Sequence, residues 1–101
     1  MDTFFEKADL LKVMANAERL RALTILSRRE ISVGPLADKL GISQSALSQH
    51  LAKLRAGNLV QTRRDAQTIF YSVKSPKVAA VLEMLESVFT VDANVELRLA
   101  G

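Results

Sequence analysis

Between Ser43 and Arg55 the chain sets Gln44, Ser45, Ser48, Gln49 and Lys53 at spacings that share one side of a helix. Ala46, Leu47, Leu51 and Leu54 fall on the opposite side and mark the face turned to a core. The polar side carries no acid. Glutamine can pair bidentately with adenine, and serine exchanges hydrogen bonds with several base edges. Their short side chains let the helix backbone approach those edges. The chemistry these residues suit is therefore hydrogen-bonded reading of duplex DNA. The alternative is an ordinary solvated surface. Helix surfaces normally favour Lys, Glu and Ala over Ser, because Ser competes for backbone hydrogen bonds, so this composition argues for a selected face.

Two further cations stand together at Arg63 and Arg64, next to Asp65. They fit phosphates or a minor groove, with Asp65 capping a turn and orienting Arg64. His50, the single histidine, adjoins the apolar stripe. It reads as a hydrogen-bonded residue at the edge of a core, with a phosphate contact as the alternative. Catalysis finds little support: the carboxylates are scattered, there is no Gly-rich phosphate loop, and no nucleophile set is evident.

The elements that position these groups can be read outward from them. A first helix is expected from about Thr3 to Met14, with Phe4, Phe5, Ala8 and Leu11 at helical spacing. Asn16 suits the N-cap of a second helix bearing Leu20, Leu23, Ile25 and Leu26, which ends near 27–29. Residues 30–33 are compatible with a short strand. Gly34-Pro35 then opens a short third helix with Leu36, Ala37 and Leu40, and Gly41 suits its end. Ser43 caps the fourth helix, closed by Gly57-Asn58.

Strands are expected over about 60–63 and 68–73, joined by a turn at 65–67. Ile69, Tyr71 and Val73 face one way, Phe70 and Ser72 the other. Ser75-Pro76 starts a last helix with an apolar stripe of Val78, Val81, Leu82, Leu85, Val88 and Phe89. The third and fourth helices meet through only Gly41-Ile42-Ser43, the tight junction of a helix-turn-helix, and the hairpin behind it is a wing. The fold class expected is mainly α with a small β-hairpin, a winged helix-turn-helix in the order α-α-α-α-β-β-α. Residues 1–90 make the domain. Residues 91–101 form a tail, either disordered or a continuation of the helix.

Composition narrows the functional classes. A chain of 101 residues supports one domain. It has no cysteine, which excludes disulfides and thiolate metal sites. No apolar run spans a bilayer and none reads as a signal peptide, so the cytoplasm is the expected location. The net charge is +3, but residues 42–77 hold six basic residues against one acid, a local +5, while the remainder carries −2. Such clustering suits a polyanion partner, although a basic solvated face is also common. The first and last helices carry more apolar surface than so small a domain can bury, which points to a two-fold dimer through them.

The run Ser43-Gln44-Ser45-Ala46-Leu47-Ser48-Gln49-His50-Leu51, followed by Lys53-Leu54-Arg55, resembles the ArsR/SmtB family of winged-helix repressors. So do Asn58-Leu59-Val60 and the wing run from Arg63 to Ile69. The resemblance implies a homodimer packed through its first and last helices, and repression from a near-palindromic operator. By position it implies base contacts from Gln44, Ser45, Ser48 and Gln49, with Lys53, Arg63 and Arg64 serving phosphates or the wing contact. Metal-sensing members carry Cys-Val-Cys where this chain has Ser32-Val33-Gly34. Glu83 and Glu86 are the only candidate ligands in the last helix, a poor transition-metal set. Neither a metal, a cofactor nor a catalytic residue is expected, and the residues name no effector. The competing reading is a winged-helix protein-interaction module that does not read DNA sequence.

Overall fold

The computed structural model describes the backbone of residues 3–100 and the side chains of residues 3–90. Its elements run α1 (Thr3–Met14), α2 (Ala17–Arg28), β1 (Ile31–Ser32), α3 (Val33–Leu40), α4 (Gln44–Ala56), β2 (Gln61–Asp65), β3 (Thr68–Ser72) and α5 (Pro76–Ala100). The backbone of α5 carries the helix through residues 91–100, and Gly101 lies outside the described residues.

Local chemistry sets most boundaries. The Asn16 side chain accepts a hydrogen bond from the Arg19 N–H at 3.0 Å and so caps α2. Ser43 does the same for α4, accepting from Ala46 N–H at 3.1 Å. Gly41 ends α3 at φ 69°, a left-handed conformation that costs glycine little. At the end of α4 the left-handed residue is Asn58, at φ 61°, while Gly57 sits at φ −84°. A Cβ at Gly57 would lie 3.4 Å from a Val13 methyl, at van der Waals contact with α1.

The core joins all the helices. Met14, Leu23, Leu26, Leu36, Leu47, Leu51, Leu54 and Val78 are fully buried, and Leu10, Val13, Leu20 and Tyr71 pack around them. Burying side chains of this size contributes about 1.5–3 kcal/mol each. From α1 only Met14 is buried; Phe4, Phe5 and Leu11 remain exposed, as do Met84, Val88 and Phe89 on α5.

Three details differ from the sequence reading. The strand-compatible piece at residues 31–32 joins the hairpin, giving a three-stranded antiparallel sheet in the order β1-β3-β2. Val73 N–H donates to Leu26 O at 3.1 Å and ties this sheet to α2. The third helix begins at Val33, two residues before Pro35. Proline is tolerated there because N–H groups of a first turn have no partner within the helix. The hairpin turn is also tighter than expected. Asp65 pairs with Thr68, leaving Ala66 and Gln67 between the strands.

Candidate nucleic-acid interface

Three buried leucines orient α4. Leu47, Leu51 and Leu54 are at most 1% exposed and fix the rotation of the helix about its axis. At about 100° per residue, Gln44, Ser45, Ser48, Gln49, Ala52 and Lys53 then fill about half its circumference, and all six are exposed. The structure thus brings Gln44, Ser45, Ser48, Gln49 and Lys53 together on one outward face. No acid lies in its first turn, and Lys53 and Arg55 fall in its last. Gln44 lies against the neighbouring helix, its Nε2 3.6 Å from where a Cβ on Gly34 would stand.

Buttressing comes from the two helices before it. Arg21 donates to Leu40 O at 3.0 Å and pairs with Glu18 at 3.1 Å, tying α2 to the end of α3. Arg19 Nε donates to Val13 O at 2.5 Å, and its Nη1 reaches His50 Nδ1 at 3.4 Å. A guanidinium only donates, so this contact is a hydrogen bond in the tautomer that leaves Nδ1 free to accept. His50 is half-buried and serves as a joint between α2 and α4. The sequence marked His50 as a core-edge residue. Its partner lies 31 residues away, and nothing local to His50 signals it.

Arg63 and Arg64 both sit on β2, but strand alternation sends them to opposite faces. Arg64 lies opposite Ile69, exposed and without a hydrogen bond or ion pair among the described residues. Arg63 lies opposite Phe70, with its guanidinium carbon 4.8 Å from the ring centre. Its Nε donates to Glu30 Oε1 and Oε2 at 3.0 and 3.2 Å, and its Nη2 to Oε1 at 2.7 Å. Arg63's hydrogen bonds, aided by the charges of Arg63 and Lys74, hold the Glu30 carboxyl below its ordinary value, against a smaller desolvation effect. Hydrogen bonding and charge from Glu30 raise Arg63 in return. Glu30 is the member of this region that the sequence reading missed. Asp65 does not orient Arg64 as expected: it shares the Arg63 face, and no hydrogen bond joins it to Arg64.

No group of three or more His, Cys, Asp or Glu stands together among the described residues. Within those residues no helix is long and apolar enough to cross a membrane.

Residues 16–62 match the family described as bacterial regulatory protein, arsR family. The nodulation protein NolR of Rhizobium meliloti is 54% identical over 86% of this chain and 71% of its own length. The chain belongs to the arsR family. Its resemblance to regulators of the NolR kind holds in three dimensions. The crystal structure of NolR from Sinorhizobium fredii matches with a TM-score of 0.80 at 55% identity, covering 82% of this chain and 83% of that one. The transcriptional repressor BigR from Xylella fastidiosa matches with a TM-score of 0.81 at 38% identity, over 86% and 89% of the two chains. The transcriptional activator HlyU of Vibrio cholerae is 52% identical over 79% of this chain and 74% of its own. This arsR-family protein is a winged helix-turn-helix DNA-binding regulator, with α3 and α4 as the helix pair and β2–β3 as the wing.

Proposed function

We propose that the protein is a homodimeric transcriptional repressor that occupies a near-palindromic operator and blocks transcription sterically from the cytoplasm. The acid-free outward face of α4, set by three buried leucines and capped by Ser43, carries this reading. Gln44, Ser45, Ser48 and Gln49 supply base contacts. Lys53 and the wing arginines supply the electrostatic and positional part, which dominates affinity in most protein–DNA interfaces. The exposed apolar residues of α1 (Phe4, Phe5, Leu11) and α5 (Met84, Val88, Phe89) support dimerisation through those helices. Such a dimer presents two α4 helices to half-sites about 34–36 Å apart, or a multiple of that. Without cysteine, thiolate metal sensing is not part of the mechanism.

A relative named as an activator supports a second reading, in which the same operator binding raises transcription. The deciding experiment selects binders from a randomised duplex pool at two salt concentrations, then places the recovered site in a promoter reporter. An enriched near-palindrome with falling reporter output is expected. Rising output would favour the activator. No enrichment, with only steeply salt-sensitive binding, would instead support a protein-interaction module.

A further inference from the structure

We propose that Arg63 is the positioning residue of the wing: stacked over Phe70 and paired with Glu30, it braces β2 against β1 across β3 and so sets the wing's angle to α4. The inference rests on the DNA-reading assignment of α4 and the wing, and refines which wing arginine meets phosphate.

The sheet order makes the brace possible. β3 lies between β1 and β2, so β1 and β2 share no ladder hydrogen bonds and stand two strand spacings apart, about 9–10 Å. β1 has only Ile31 and Ser32. Beyond that short edge the hairpin projects, with every residue of β2 exposed. Backbone pairing fixes β2 to β3, and the β1 ladder and the Val73–Leu26 hydrogen bond hold the base of β3; side chains that cross the sheet add a direct tie between its two outer strands. Glu30, Phe70 and Arg63 cross it on a single face. Glu30 immediately precedes β1, Phe70 pairs with Ser32 and with Arg63, and all three share the alternation. The guanidinium lies on the ring and meets both carboxylate oxygens. The fork takes the Nε donor and one Nη2 donor of Arg63 and sets its charge against a carboxylate, which disfavours an added phosphate contact although Nη1 stays free among the described residues. Arg64 faces the other way and has its donors free.

The test uses the full chain and the selected operator, with random duplex as reference, over a range of salt. Arg63→Met and Glu30→Gln should each weaken operator binding on the order of threefold to tenfold and leave the salt slope unchanged. Arg63→Lys keeps the charge but loses the fork and the stack, and should behave like Arg63→Met. Arg64→Met should lower the slope by about one. A slope loss of about one in Arg63→Met, wild-type behaviour of Arg63→Lys, or tighter binding by Glu30→Gln would each overturn the brace and make Arg63 a phosphate contact. Hydrogen exchange of β1 and β2 amides without DNA separates the two premises. Faster exchange in Arg63→Met and Glu30→Gln, but not in Arg64→Met, supports the brace even if wild type fails to discriminate operator from random duplex, which would sink the DNA-reading assignment alone. Unchanged exchange overturns the brace.

Discussion

In α4, Leu47, Leu51 and Leu54 are at most 1% exposed, while all five residues of β2 lie at the surface. The helix is held from behind by the core, so its outward side chains are free of structural duty. The wing has no core beneath its tip. It depends on ladder hydrogen bonds to β3 and on surface contacts such as Arg63 with Phe70 and Glu30. Burial fixes orientation without using the polar residues, whereas at the surface the same polar residues must both position and bind. On this account damage to α4's orientation must pass through global stability, and damage to the wing need not.

Leu51→Ala should test that contrast most severely. Emptying this site should cost about 2–5 kcal/mol, read as a lowered denaturant midpoint, with DNA binding lost in proportion to the unfolded fraction. A stable variant with lost binding would contradict the view that α4 is oriented by the core as a whole. Gln49→Ala should leave stability unchanged and cost about 1–3 kcal/mol on the operator, with little loss on random duplex. Equal losses on both would remove Gln49 from base reading.

In the wing, Ala66 holds φ 56°, a region unfavourable to residues with a Cβ. Ala66→Gly should therefore stabilise the fold by about 1 kcal/mol, seen in thermal melts, although glycine's greater freedom in the unfolded chain offsets part of the gain. A fall in stability would mean the turn relaxes without strain. The smallest effect is that of pH on the brace. Because Arg63 lowers the Glu30 carboxyl in the folded state, the pairing contributes fully above the unfolded carboxylate range and is lost as pH falls through the folded value. Protection of β1 amides, corrected for the intrinsic rate, should stay level from about pH 7 to 5 and drop only below about pH 4. A change between about pH 6 and 7 would assign the protection to another group.

Residue type and spacing were enough to place α1, the Asn16 and Ser43 caps, the Gly41 terminus and the division of α4 into apolar and polar faces. Each of these follows from contacts within a few residues or from helical periodicity, which a sequence displays directly. The same periodicity marked Phe4, Phe5 and Leu11 as apolar but did not say whether they meet this chain's core. Exposure of all three is a property of the assembled domain.

Only the tertiary structure decided the pairing of β1 with β3, the separation of Arg63 from Arg64 and the partnership of Arg19 with His50. Adjacent arginines look equivalent along the chain. They part company because strand pleating sends neighbours to opposite faces, and because sheet order brings Glu30 near a residue 33 positions later. Local propensity thus determined the elements and the identity of the outward residues. Which charges are engaged within the molecule, and which stay available to DNA, depended on contacts that close long loops, and single-chain periodicity carries no record of those.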